Sequence, residues 1–388
     1  MTRQLLTRAL SCCVCLLCGC RPPSGVDEGI ASRQIKPLWQ VSLATTQTML
    51  RTAAVTPAVV IIDAVGQLVG VDPATGVRKW SLRIPFGIPP YGIVVLNESL
   101  AALVTGDGFV TFDPRDGREL RRWVELNPRR YPSGTSPQLL SDGRIVYVSR
   151  ARDLMALDAR TGKLDTLAKL PGDSVRNAYV VSLSVYKDTI YAPVASDARR
   201  GAAFRNTMPY RYAVQTRVLD SLRPDPSDSA SLASWMLPLD KLLVSSTDYS
   251  EPSWLGFDRA TGDRVWKVPA APGSLGPFAQ TAVVGDTMFA GGNDGFAYVI
   301  HLPSGRLIRK FQIPDGLVAG VVACGTDVYI NVIGRMTGYT RDGNSRIVFS
   351  GLPEGKDAFG GHFAAGAGIA VVGDNAGVWT AFPCTPPQ

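Results

Sequence analysis

Apolar residues along this chain come in short runs bounded by Gly, Pro, Asp or Asn, and no stretch carries the stripe of a long amphipathic helix. Residues 51–56, 58–63 and 67–72 are the first such runs. In 78–84 the pattern changes to alternation, with Trp80, Leu82 and Ile84 on one side. Short runs separated by turn residues predict strands, and their dominance predicts an all-β fold. The abundance of turn formers, 39 Gly and 28 Pro, fits that reading.

A strand–turn–strand unit recurs. Its clearest copy is Gly70-Val71-Asp72-Pro73-Ala74-Thr75-Gly76-Val77-Arg78-Lys79-Trp80. It returns as Phe257-Asp258-Arg259-Ala260-Thr261-Gly262-Asp263-Arg264-Val265-Trp266. Leu157-Asp158-Ala159-Arg160-Thr161-Gly162 has Thr166 where the Trp would stand, and the looser Phe112-Asp113-Pro114-Arg115-Asp116-Gly117 carries Trp123 two positions late. An Asp side chain accepts bonds from turn amides, and Gly reaches positive φ without steric penalty. These residues are therefore expected to be structural, with Trp80, Trp266 and Trp39 packed between repeats.

The turn glycines at 76, 117, 162, 262, 305 and 343 are separated by 41, 45, 100, 43 and 38 residues. The interval of 100 spans two periods, so a degenerate unit is expected at 210–222, with its turn at 215–217. A period of this size with four short strands per unit is the signature of a β-propeller. We label the strands of each blade A to D from the axis outward. Residues 377–382 form a strand C with no strand D after it. Residues 38–43 form a strand D with no blade before it, and Trp39, Val41 and Leu43 copy the pattern of Trp80, Leu82 and Ile84. The N-terminal strand is thus expected to complete the last blade and close the ring. The count gives an eight-bladed β-propeller of four-stranded antiparallel blades, with seven blades as the alternative.

The unit resembles the repeat of the pyrroloquinoline-quinone (PQQ)-like propellers, Ala-x-Asp-x-x-Thr-Gly-x-x-x-Trp, over nearly all of 36–383. Two groups share that repeat. Quinoprotein dehydrogenases hold PQQ on the axis under a vicinal disulfide, and no vicinal cysteines remain here beyond residue 20. No cofactor residue is carried over, and neither cofactor nor enzyme activity is expected. The second group comprises non-enzymatic, lipid-anchored propellers, including the outer-membrane protein assembly factor of the β-barrel assembly machinery. That resemblance implies a scaffold for other envelope proteins, in outer-membrane protein assembly, monomeric within its complex. The alternative is a periplasmic quinoprotein-like enzyme or small-molecule sensor using the axis.

The N-terminus reads as an address. Arg3 and Arg8 precede a short apolar stretch ending in Leu17-Cys18-Gly19-Cys20, which resembles the bacterial lipobox. It implies a signal peptide over 1–19, lipidation of Cys20, and a tether over 20–35 ahead of a single propeller domain over 36–388. Arg21 in place of Asp implies the outer membrane, facing the periplasm, or the cell surface where no outer membrane exists. Of seven cysteines, only Cys324 and Cys384 lie beyond residue 20. In an exported chain they form either a disulfide tying the C-terminus to an earlier repeat or two buried thiols.

Two histidines, His301 and His362, are too few for a His-built metal or acid–base centre, and no metal site is expected. The net charge of +7 is scattered along the chain, which argues against nucleic acid. In a propeller the A–B and C–D turns share one face, and the B–C and D–A loops share the other. The Asp-x-x-Thr-Gly turns are C–D. The long, irregular segments fall on the opposite face. Arg129, Arg130 and Tyr131 lie in one such loop, and Arg199, Arg200, Phe204 and Arg205 in the blade-four insertion. Arginines and aromatics in long loops on a rigid ring are the expected partner-binding residues.

Overall fold

The computed structural model describes residues 31–43, 53–64, 66–84, 90–105, 108–124, 140–141, 143–150, 152–171, 178–180, 182–195, 207–222, 236–247, 252–270, 281–291, 295–312, 318–332, 335–341, 345–350, 352, 359–374 and 376–385. Every regular element among them is a β-strand. The strands form eight separate antiparallel sheets, and Ser32–Gln388 is one compact unit.

Each sheet is a blade in the expected A-to-D order. Blade one is Ala53–Val55, Val60–Asp63, Gln67–Val71 and Arg78–Arg83. Blade two runs from Pro90–Asn97 to Glu119–Val124, and blade three from Leu140–Ser141 to Leu164–Lys169. Blade four has a split strand A, Tyr179–Val180 and Ser184–Tyr186, followed by Thr189–Ala195, Thr207–Ala213 and Val218–Ser221. This is the degenerate unit, and Arg217 takes φ 57 in its turn. Blade five ends in strand D Arg264–Pro269, blade six in Arg306–Gln312 and blade seven in Ser345–Phe349. Blade eight is Phe359–Gly366, Ile369–Asp374 and Val378–Pro383, completed by Trp39–Ser42. Trp39 pairs with Ala381 and Ser42 with Val378, so the N-terminal strand closes the ring as the pattern predicts.

Packing explains why the inner strands lack polar alternation. Val59 and Ile61 enter the core between blades one and two, whereas Val60 and Ile62 enter the core between blades eight and one. A strand buried on both faces is apolar at successive positions. The same division recurs around the ring, with one apolar cluster between each adjacent pair of blades. Strand D has only one packed face. In Arg78–Arg83 Trp80 is buried while its neighbours Lys79 and Ser81 are exposed.

One part of the reading is corrected. The segment read as a tether over 20–35 ends in a strand, Ala31–Ile35, which adds a fifth strand outside strand D of blade seven. Ile35 packs into the core between blades seven and eight, and its carbonyl accepts from the Ser350 amide at 3.0 Å. Burial of that side chain and these backbone bonds hold the segment down.

Candidate functional site

The repeat motif forms a latch between neighbouring blades. In the first turn the Gly76 N–H donates to the Asp72 carbonyl at 2.9 Å, while Asp72 Oδ1 accepts from the Ala74 and Thr75 amides and the Thr75 hydroxyl, each at 3.0 Å. The closed turn leaves the Pro73 carbonyl pointing outward, and Trp39 Nε1 donates to it at 2.8 Å from the preceding blade. Trp80 reaches the Pro114 carbonyl of blade two at 3.0 Å, and Trp266 reaches the Leu302 carbonyl of blade six at 2.8 Å. Each indole packs against the turn glycine of the next blade. A Cβ on Gly76, Gly117, Gly162 or Gly305 would stand within 2.8 Å of the ring of Trp39, Trp80, Trp123 or Trp266 respectively. These glycines also take φ between 64 and 76°, so two independent requirements select Gly. The second requirement was not visible in the sequence, because each partner Trp belongs to a different repeat.

Blade four lacks the Trp and uses other contacts. Leu222 faces Gly262, and Arg211 donates to the Arg259 and Ala260 carbonyls of blade five at 3.3 and 2.9 Å. Arg259 in turn lies 4.6 Å above the Tyr186 ring and donates to the Tyr191 hydroxyl. Between blades six and seven, Phe311 packs on Tyr339 and Arg341 donates to Asp286 at 2.8 Å.

The carboxylates of this face are held ionised. The Thr75 hydroxyl leads in lowering the Asp72 pKa, and the Arg115 guanidinium does so for Asp113. Arg144 donates to Asp158 and, with the turn amides, holds it down to about 2. For Asp258 the Thr261 and Ala260 amides do this work. Asp286, held low chiefly by Arg341, sits 3.3 Å from His301 Nε2, whose Nδ1 meets Ser304 Oγ at 2.7 Å. Each of these groups serves its own turn or the adjoining blade. Among the described residues no group of three His, Cys, Asp or Glu is arranged to hold a metal ion.

At the seam between blades seven and eight, Cys324 and Cys384 are joined by a disulfide with their Cα atoms 4.8 Å apart. The bond straps the C-terminal tail to the A–B turn of blade seven. There the Thr326 amide donates to the Thr385 carbonyl at 3.1 Å, and the Tyr329 hydroxyl donates to the Pro383 carbonyl at 2.8 Å. Asp327, with its side chain 2% exposed, accepts from the Thr385 hydroxyl at 2.5 Å and pairs with Arg33 of the added N-terminal strand. Arg33 and Thr385 thus converge on one buried carboxylate.

The residues expected to bind partners, Arg129, Arg130, Tyr131, Arg199, Arg200, Phe204 and Arg205, lie outside the described residues, as does Cys20. Met208 and Tyr210, on strand C of blade four just beyond the insertion, are described. Met208 is exposed, and partial burial raises the Tyr210 pKa.

A sequence model of the family described as outer membrane protein assembly factor BamB matches residues 29–198, from the added strand into blade four. No curated protein matches the chain. Among solved structures it is similar to BamB from Moraxella catarrhalis, with 13% identity, 87% of this chain and 83% of that chain covered, and a TM-score of 0.51. It is also similar to the computationally designed Ika8 protein, with 13% identity, 90% and 99% coverage, and a TM-score of 0.63. Sqt1 from Saccharomyces cerevisiae gives 10% identity, 91% and 100% coverage, and a TM-score of 0.66. At such identities the likeness is one of fold, and a fold shared by a designed protein and a yeast protein does not select a function.

Proposed function

We propose that this BamB-like PQQ-repeat propeller is a lipid-anchored, non-enzymatic scaffold that holds other envelope proteins at the outer membrane and takes part in outer-membrane protein assembly. The observation that carries the reading is the match of residues 29–198 to the BamB family model, in a chain whose repeats close into a ring. The lipobox-like Leu17-Cys18-Gly19-Cys20 supports the anchor. A single acyl chain holds a protein on a membrane only marginally, whereas multiple chains hold it stably. An anchored ring raises the effective concentration of any partner held in the same membrane.

The two faces divide the work. Turns on the A–B and C–D face are committed to latching neighbouring blades, so their sequences are constrained by packing. Segments of the B–C and D–A face carry no copy of the Asp-x-x-Thr-Gly motif, and the reading assigns the binding chemistry to them. Arg199, Arg200 and Arg205 are our choice for partner contacts. The test is crosslinked affinity purification of the lipidated protein from its native membrane. The reading expects envelope proteins to be captured, with Arg199→Glu, Arg200→Glu and Arg205→Glu together weakening capture and leaving the melting temperature nearly unchanged. Unchanged capture, or a large loss of stability, contradicts it.

A further inference from the structure

We infer that the Cys324–Cys384 disulfide is a redox-sensitive clasp for the N-terminal strand Ala31–Ile35. That strand is lightly held. It is the outermost strand of its sheet, Ser32, Arg33 and Gln34 are exposed, and Ile35 is the side chain that packs into a core. A short edge strand with so little burial lies at the low end of local stability. Arg33 ties it to a second part of the molecule. The guanidinium donates to Asp327 and, at 2.9 Å, to the Thr385 hydroxyl, and that hydroxyl donates to Asp327 at 2.5 Å. The strand is therefore bonded to the C-terminal tail as well as to its own blade.

The disulfide sets where that tail lies. Cys324 ends strand A of blade seven and Asp327 opens strand B, and the two are paired across the turn Gly325-Thr326. Bonding Cys384 to Cys324 brings the next residue, Thr385, beside Asp327. Gly325 makes room, since a Cβ there would stand 1.6 Å from the Thr385 carbonyl oxygen. Two backbone bonds hold these tail residues besides the disulfide. The Cys384 amide donates to the Gly368 carbonyl at 2.8 Å, and the Thr326 amide to the Thr385 carbonyl at 3.1 Å. A segment left with two such bonds opens at low free energy. The reductant we name is a dithiol. Cys384 is half-buried and Cys324 is buried, so a thiolate of the reductant attacks Cys384 Sγ, and the Cys324 thiolate leaves and takes up a proton. The second thiol of the reductant then closes its own disulfide, and Cys384 departs and is protonated. Two electrons and two protons pass from the dithiol to the cysteine pair. Once Thr385 swings away, Arg33 has lost an acceptor, Asp327 has lost a donor, and the strand loosens. The consequence rests on the lipid-anchored reading. The first fixed point of the chain moves from Ala31 to Leu38, seven residues on, which lengthens the reach from a lipid on Cys20 by at most about 25 Å.

The test reads the strand and not the lipid, so the clasp and the anchored reading fail separately. Hydrogen exchange of Ala31–Ile35 is followed in the full chain, oxidised and after dithiothreitol. Bonds to charged groups are being lost, so reduction should speed exchange in this strand about tenfold or more, while Ser253–Asp258 of blade five keeps its rate. Cys324→Ser with Cys384→Ser should exchange like the reduced protein and ignore dithiothreitol. Thr385→Val, with the disulfide intact, should speed exchange part of the way. Arg33→Ala should speed it too, and reduction should then add little, because the coupling runs through Arg33. Unchanged exchange of Ala31–Ile35 on reduction overturns the inference. So does equal acceleration in blade five, no effect of Thr385→Val, or an undiminished effect of reduction in Arg33→Ala. If the double serine variant fails to fold, the dithiothreitol comparison of the unaltered chain with Arg33→Ala decides the matter.

Discussion

A glycine in this protein answers two demands, and they can be separated by substitution. Gly117 takes φ 72, and a Cβ there would lie 2.5 Å from the Trp80 ring. Gly368 takes φ 81 with nothing within 4 Å of the added atom. Gly368→Ala should therefore cost about 1 kcal/mol in backbone conformation alone, and Gly117→Ala about 2–4 kcal/mol once overpacking is included. Urea unfolding of the two variants measures the difference, and equal losses would show that the indole is not held as described. The backbone half of this was legible, because Asp-x-x-Thr-Gly is a turn in any context. The packing half was not, since Trp80 and Gly117 belong to different repeats. At Asp158 the folded pKa of about 2 lies below its ordinary value of 3.8. The carboxylate therefore stabilises the fold fully above its ordinary pKa, and that contribution is lost as pH falls toward 2. Asp158→Asn should lower the unfolding midpoint at pH 7, and the gap from the unaltered protein should close between about pH 4 and 2. A gap that persists at pH 2 would place the effect elsewhere than in ionisation.

At the scale of elements, closure of the ring depends on one short strand. Among the described residues, Trp39–Ser42 is the part of blade eight drawn from the other end of the chain, and its Trp39 also latches blade one. Trp39→Ala should lose about 3–5 kcal/mol, as for other buried aromatics, and should loosen both sides of the seam. Hydrogen exchange should report faster exchange in Val378–Pro383 and Gln67–Val71 than in blade five, and uniform exchange would contradict a local seam. The disulfide closes a second loop across 60 residues, for which chain entropy gives about 4 kcal/mol. Reduction should lower the melting temperature and release the C-terminal tail, whereas an unchanged melting temperature would show that the bond adds no constraint. The closing strand was legible because Trp39, Val41 and Leu43 repeat a known strand D. Ala31–Ile35 was not. Its sequence, Ala-Ser-Arg-Gln-Ile, offers one apolar anchor, and the Asp327 that receives Arg33 lies 294 residues away.

For the whole molecule, the recurring unit made the eight-bladed ring readable, because each blade repeats the same burial on both faces of its inner strands. Function was far less readable. The motif that dominates the sequence is consumed in holding blades together, and the loops chosen for binding follow no repeat. The central claim is that partners are held by the loop face of a closed, anchored ring. Photo-crosslinking amino acids placed singly at Arg199 or Arg205, and in the opposite turns at Arg160 or Arg259, test it most directly in native membranes. The account predicts discrete adducts with envelope proteins from the first pair and none from the second. Adducts from the turn positions, with none from the loop positions, would contradict it.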